Sequence, residues 1–249
     1  MITLSSDFGS PYPAAMKGVV LQRTDARLVD VTHDFPRQDV RTAAFWLREV
    51  LPYFPPAVHL VVVDPGVGTD RAALAVRAGD NALVGPDNGV LLPVARELTA
   101  DPAVYEVDYD DPDSVTFHGR DVFAPAAAEV HEAGVDGIDG LYRRTRDYVD
   151  LAFPDPEVRA DGATGEVLVV DGFGNAITNV PGDVLDGRYG TTVAVNGDPA
   201  PVERTYAAVD PSDRLVTVGS HGNVELAVNR GRGDAAFGVD SRTAVDLSF

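Results

Sequence analysis

Three short polar segments carry the side chains best suited to chemistry: Ser5-Ser6-Asp7-Phe8-Gly9, Asp64-Pro65-Gly66-Val67-Gly68-Thr69-Asp70-Arg71 and Phe117-His118-Gly119-Arg120-Asp121. They supply carboxylates at Asp7 and Asp64, a fixed cation at Arg71 and an imidazole at His118. Asp64, Arg71 and His118 could surround a water and handle its proton, because imidazole titrates near neutrality and a neighbouring carboxylate fixes its tautomer and supports its charged form. The alternative has Asp64 closing a turn and His118 bonded to backbone. Asp7 could accept hydrogen bonds from a ribose diol, as acidic residues do in nucleotide folds, or cap the turn that follows it.

Two further segments lie in the second half of the chain. Asp171-Gly172-Phe173-Gly174-Asn175-Ala176-Ile177-Thr178-Asn179 offers a carboxylate, an aromatic face and an amide, groups suited to an ammonium, a purine ring and the edge of that ring. Asp-Gly and Gly-Asn pairs are equally ordinary hairpin chemistry. Gly219-Ser220-His221-Gly222-Asn223, followed by Glu225 and Asn229, is a similar polar turn and strand. No G-x-G-x-x-G or G-x-x-x-x-G-K-[ST] sequence is present, which weighs against a dinucleotide or triphosphate but leaves a nucleoside open. Asp64, Asp87, His118 and Asp121 could be assembled into a metal centre, but no His-x-His or His-Glu-x-x-His spacing supports one, and none is predicted. His59 alternates within an apolar run and reads as packed; His33 carries no functional assignment.

The elements that must position these residues alternate through about residue 140. Strands are predicted near 2–6, 27–32, 57–63, 72–78 and 103–108, with helices between several of them, which argues for an α/β domain with a parallel-rich sheet. The run 58–63 reads as a buried parallel strand, and ligands in such sheets collect beyond the carboxyl ends. The clearest helix covers 40–51, with Val40, Ala43, Ala44, Leu47, Val50 and Leu51 on one face, Asp39 as N-cap and Pro52 as terminator. A second helix is predicted to follow Asp121, capped by its carboxylate, and to run toward Gly134. Residues 153–165, rich in Pro, Asp, Gly and Ala without periodicity, read as a connector. Beyond it, β-branched runs at 166–170, 191–195, 214–218 and 224–228 predict a smaller all-β, barrel-like domain. The expected domains are 1–155 and 163–249.

Composition narrows the function classes. The formal net charge is −19, only one of the twenty basic residues is a lysine, Lys17, and such a chain would repel a phosphate backbone, so nucleic acid is not an expected partner. Short acidic groups such as the one spanning 108–113 read as a solvated surface of the kind halophiles use. The absence of cysteine makes a reducing cytoplasm the simplest address. No targeting segment opens the chain, and no apolar run reaches the roughly 20 residues a membrane span needs, so no membrane partner is expected.

Taken in order, Ser6-Asp7-Phe8-Gly9, Val63-Asp64-Pro65-Gly66-Val67-Gly68-Thr69, Gly85-Pro86-Asp87-Asn88-Gly89, Thr116-Phe117-His118-Gly119-Arg120-Asp121-Val122-Phe123-Ala124-Pro125 and the segment 171–179 resemble the S-adenosyl-L-methionine hydroxide adenosyltransferase family, relatives of the fluorinase and chlorinase enzymes. The resemblance covers essentially the whole chain. It implies an α/β amino-terminal domain, a β-barrel-like carboxy-terminal domain, and a homotrimer that binds substrate between one subunit's amino-terminal domain and its neighbour's carboxy-terminal domain. It implies hydrolysis of S-adenosylmethionine to adenosine and L-methionine, with no cofactor. Asp64, Arg71 and His118 match the family's triad. By matching position Asp7 contacts the ribose hydroxyls, Asp171 and Ser220 the amino-acid end, and Phe173 and Asn175 the adenine. His221 stands where fluorinase has an arginine.

The halogenating relatives lack the triad, with tyrosine typical at the position of Asp64, and fluorinase carries an extra loop that this shorter chain lacks. An anionic Asp64 beside the nucleophile site would repel a halide, which favours hydrolysis. The competing readings are a chlorinase-like adenosyl transferase and a sensor that binds S-adenosylmethionine or adenosine without turnover.

Overall fold

A computed structural model describes residues 1–109 and 114–249; the acidic residues at 110–113 lie outside the described residues. The chain divides into two compact units, Met1–Ala152 and Phe153–Phe249.

The first unit contains β1 (Ile2–Ser6), α1 (Tyr12–Leu21), β2 (Leu28–Thr32), α2 (Val40–Val50), β3 (Val58–Val62), β4 (Ala73–Ala78), β5 (Asn81–Pro86), α3 (Leu92–Leu98), β6 (Ala103–Val107), α4 (Ala124–Ala133), α5 (Ile138–Leu141) and β7 (Arg143–Arg144). Its sheet runs β2-β1-β3-β5-β4-β6-β7. The sheet is mixed: β2-β1, β1-β3 and β3-β5 are parallel, whereas β5-β4, β4-β6 and β6-β7 are antiparallel. The cause is the tight connection at Gly79 and Asp80, which folds β4 back on β5 where a parallel partner would need a long crossover.

The order 2-1-3 places a topological switch between β1 and β3, because the chain leaves β1 toward one edge and returns past it to β3. Ile2, Leu4, Leu60, Val62 and Val84 bury one face of the sheet with Met16 and Val20 of α1 and Ala124, Ala127 and Val130 of α4. On α2 the buried residues are Thr42, Ala43, Ala44, Phe45 and Leu47, so the predicted stripe holds at its centre while Val40 and Val50 are only half-buried. Asp39 caps that helix, its Oδ1 accepting from the Thr42 amide at 3.0 Å.

The predicted cap at Asp121 is corrected. The helix begins one turn earlier with a π-helical turn over Gly119–Phe123, and the Asp121 carboxylate faces Arg120 instead, with N–O distances of 2.5 and 2.7 Å. A charge-assisted, two-pronged bond to guanidinium outcompetes a cap on amides already engaged in the turn.

The second unit contains β8 (Glu157–Arg159), β9 (Gly162–Val170), β10 (Ala176–Pro181), β11 (Thr192–Val195), β12 (Asp198–Pro201), β13 (Arg214–Val218), β14 (Asn223–Val228), α6 (Gly233–Phe237) and β15 (Ala244–Ser248). Its sheet runs β12-β11-β15-β9-β10-β14-β13, with β8 paired to β9. A bridge between Val202 and Val216 brings the two ends together, making a nearly closed antiparallel barrel. Val167, Ala176, Val193, Val216, Val224, Leu226, Val245 and Leu247 fill its core. The stretch read as a connector, 153–165, carries β8 and the start of β9: its small residues mark close packing, with Ala163 fully buried.

Candidate functional site

In the first unit the sheet directions bring the polar turns to one edge. β1, β2, β3, β5 and β6 all run the same way and β4 runs against them, so Asp7, His33, Asp64, Asp87 and Tyr109 follow strand ends at the edge where Arg71 precedes β4. This is the carboxyl edge where α/β sheets collect ligands, and β1 and β3 flank its switch point.

Asp64 is the centre of its turn. Its Oδ1 accepts from the Gly66 amide at 3.0 Å and its Oδ2 pairs with Arg71 Nη2. The two side chains are 6 and 16% exposed, so this is an ion pair largely screened from water. Gly66 is needed for it: a Cβ at that position would stand 2.6 Å from Arg71 Nη1. Arg71 Nε is buried and has no hydrogen-bond partner among the described residues. Burial pushes the Asp87 carboxyl up, opposed by the bond from the Val149 amide at 2.7 Å and by the Arg71 charge.

His118 is buried and opens the π-helical turn; its neighbour Gly119 lies against Val62 of β3 and Met16 of α1. Its ring is 5.9 Å from that of Tyr109 and 6.5 Å from that of Phe123. Tyr109 also reaches the Arg71 carbonyl with its hydroxyl at 3.4 Å, and the Val115 carbonyl abuts Gly68. The 64–71 turn and the 114–119 segment are therefore packed together. No hydrogen bond joins His118 to Asp64 or Arg71 among the described residues, so the direct pairing within the triad is Asp64 with Arg71.

Asp7 lies beside an aromatic trio, Phe8, Tyr12 and Phe117, whose rings meet edge to face at 5.6 to 6.2 Å. Its Oδ2 accepts from the Gln38 amide at 2.6 Å. Of the four residues weighed as a metal set, Asp64, Asp121 and Asp87 are each bonded to a different partner, and no metal-holding group of His, Asp and Glu occurs among the described residues.

In the second unit, Asp171 organises its own turn. Its Oδ1 accepts from the Phe173 and Asn175 amides at 2.8 and 2.9 Å, and its Oδ2 from Asn175 Nδ2 at 3.1 Å. The hairpin reading is thus correct for the backbone, joining β9 to β10. It leaves Phe173 82% exposed, an aromatic face held out on a rigid turn, while Asn175 is buried. Ser220 is exposed on the turn between β13 and β14, which is closed by the Gly219 amide on the Asn223 carbonyl at 2.9 Å.

Beneath that turn is a group that reading by segment did not assign. Glu225 is buried in β14 and accepts from the Tyr206 hydroxyl at 2.6 Å. Burial pushes its carboxyl up; Tyr206 opposes this, Asp171 adds to it and His221 opposes it. Gly219 makes room for it, since a Cβ there would meet Glu225 Oε2 at 2.5 Å. The available sequence signal was a lone glutamate among apolar residues of a strand; nothing near Tyr206 pointed to it.

The two-unit fold agrees with the comparisons. Residues 2–137 match the SAM hydroxide adenosyltransferase N-terminal domain and residues 165–246 its C-terminal domain, so the chain belongs to this family. It is 42% identical over 245 residues to a Salinispora tropica protein named (R)-S-adenosyl-L-methionine hydrolase, covering 96% of this chain and 94% of that one. A Thermus thermophilus protein of the same name is 41% identical over 256 residues, covering 97% of each. Among solved structures, a Thermotoga maritima protein described as uncharacterized and conserved superposes with a TM-score of 0.88 at 33% identity, over the full length of both chains.

Proposed function

We infer that the chain is an S-adenosyl-L-methionine hydrolase, forming adenosine and L-methionine, the activity for which its 41–42% identical relatives are named. The observation that carries this reading is the buried Asp64–Arg71 pair at the carboxyl end of β3. The sulfonium is a good leaving group, so the task is to present an oxygen nucleophile in line with the C5′–S bond. The water oxygen bonds to C5′, the C5′–S electron pair leaves with methionine, and the proton passes to the Asp64/His118 pair. A guanidinium holds its proton at ordinary pH, so Arg71 fixes Asp64 and offers Nε to hydroxide-like charge.

In this reading Asp7 holds the ribose hydroxyls, Asp171 and Ser220 the amino-acid end, and Phe173 and Asn175 the adenine. By resemblance to the family, the chain works as a cytoplasmic homotrimer without cofactor, nucleic acid or membrane. Each site then takes Asp64, Arg71 and His118 from one subunit and Asp171 from its neighbour, with parts 1–155 and 163–249 acting as domains. The acidic surface keeps the protein soluble in high salt. Mixing Asp64→Asn and Asp171→Ala subunits tests the assembly: recovered activity supports sites shared between subunits, and none recovered overturns them.

The reaction is tested by incubating purified protein with S-adenosylmethionine in molar potassium chloride and separating the products. Adenosine with methionine supports hydrolysis. Formation of 5′-chloro-5′-deoxyadenosine would move the chain to the halogenating class, and tight binding without product would make it a sensor.

A further inference from the structure

The loop after β2 grips the end of β1 from both sides of Asp7. Ser6 Oγ and His33 Nδ1 are 2.7 Å apart, the Phe35 amide donates to the Ser6 carbonyl at 3.4 Å, the Gly9 amide donates to the His33 carbonyl at 3.1 Å, and the Gln38 amide donates to Asp7 Oδ2 at 2.6 Å. Gln38 adopts φ +62°, a conformation few side-chain-bearing residues take, and it aims its amide at Asp7. Behind His33 the chain of contacts continues outward. Its Nε2 lies 3.0 Å from Asp30 Oδ1, and Asp30 Oδ2 receives Lys17 Nζ at 2.5 Å. Burial raises the Asp30 carboxyl, but the bonds from Lys17 and His33 outweigh it and hold it below its ordinary value.

An ionised carboxylate only accepts, so His33 donates from Nε2, and in the neutral ring Nδ1 then accepts from the buried Ser6 hydroxyl. Donors thus converge on Asp30 from Lys17 on one side and His33 on the other, with Ser6 behind His33. The one lysine in the chain anchors its outer end.

We propose that His33, oriented by Asp30 and Lys17, is a positioning residue that holds the Ser6–Gly9 turn so that Asp7 meets the ribose of the substrate. It touches neither the reacting carbon nor the nucleophile. Its effect falls on substrate affinity and leaves the chemical step alone. This rests on the ribose assignment of Asp7, and the test separates the two.

KM and kcat for S-adenosylmethionine are measured, by adenosine formation, for His33→Leu, His33→Asn, Asp30→Asn and Asp7→Asn. His33→Leu should raise KM about tenfold, the equivalent of one well-placed hydrogen bond, with kcat within about twofold. His33→Asn, whose side-chain amide reaches the position of Nδ1, should recover most of that loss. Asp30→Asn, at an exposed position, should raise KM by a smaller factor and carries the test if His33→Leu does not fold. Unchanged KM in His33→Leu or, failing that variant, in Asp30→Asn overturns the proposal. So does a loss of kcat and thermal stability that His33→Asn shares in full. If instead Asp7→Asn leaves KM unchanged, it is the ribose assignment that falls.

Discussion

The polar turns of the two units are assembled in opposite ways. In the first, Asp64, Arg71 and the segment leading to His118 come from separate strand ends, brought together by the sheet. In the second, the Asp171 carboxylate takes its hydrogen bonds from Phe173 and Asn175 of its own turn. The Asp64 carboxylate divides between a guanidinium and the Gly66 amide, whereas that of Asp171 takes neutral amides. The comparison teaches that the Asp64–Arg71 geometry depends on the whole sheet, whereas the 171–175 turn carries its own scaffold. The same Asp→Asn change should therefore act very differently at the two positions.

The largest effect is expected at the triad. Asp64→Asn keeps an oxygen for the Gly66 amide but removes the anion facing Arg71, and turnover should fall on the order of 10²- to 10⁴-fold, the usual worth of a positioned proton acceptor. His118→Ala should cost on the order of 10²-fold. Both are read as adenosine formed at saturating S-adenosylmethionine. Wild-type turnover in both, with normal binding, would remove the Asp64/His118 pair from the mechanism.

Next in size is a pH effect on stability at His59, the buried histidine outside the candidate site. His118 is surrounded by rings, those of Tyr109 and Phe123, whereas His59 is tied at Nδ1 to Thr3 Oγ1 at 2.8 Å and at Nε2 to Asn81 Oδ1 at 3.3 Å. Burial pulls His59 down to about 4, with the Asn81 bond opposing. The unfolded chain takes up a proton near pH 6.5 and the folded one does not until about pH 4, so His59 costs stability progressively as pH falls through that window. The full cost is ~3 kcal/mol. In denaturant titrations, His59→Gln should flatten the decline between pH 7 and pH 4; an unchanged slope would place the acid sensitivity elsewhere.

Asp171 sharpens the contrast at smaller scale. Asp171→Asn can still accept from the Phe173 and Asn175 amides, so folding should be close to wild type while KM rises about tenfold through the lost charge. Asp171→Ala removes the scaffold as well, and the Phe173 turn should loosen by ~1–2 kcal/mol. Equal KM values for Asp171→Asn and wild type would leave Asp171 a purely structural residue.

How much of this was legible in the sequence follows the same division. Strands with continuous apolar runs, such as β3, and a helix with a sharp stripe and an Asp39 cap, α2, stand out because local pattern and final burial agree. Asp64, with its glycine-bearing turn after β3, was readable for the same reason. β5 was not: Gly85 and Pro86 end it with residues that read as a turn, and only the pairing with β3 and β4 makes it a strand. β8 and the start of β9 hid in a Pro-, Asp- and Gly-rich stretch whose strand character comes from pairing of β8 with β9 and of β9 with β15. The Asp121 cap failed because a neighbouring guanidinium competes for the same carboxylate. Tyr206 and Glu225 lie on elements 19 residues apart, and no local pattern joins them.

That pair supplies the smallest and most pointed prediction. Tyr206→Phe deletes a donor to a buried carboxylate and should cost ~1 kcal/mol near neutral pH, where Glu225 is most dependent on it. Burial already raises the Glu225 carboxyl, and losing the Tyr206 bond raises it further. A carboxyl raised on folding binds its proton more readily in the folded state, so acidification relieves the cost as pH falls through the folded value toward that of the unfolded chain. The Tyr206→Phe penalty, taken as the difference in denaturation free energy from wild type, should thus shrink as pH falls from neutral toward the ordinary carboxylate range, opposite in sign to the His59 effect. A penalty constant over that range would mean that Tyr206 contributes packing alone, and that the buried carboxylate of the second unit is held by its other neighbours.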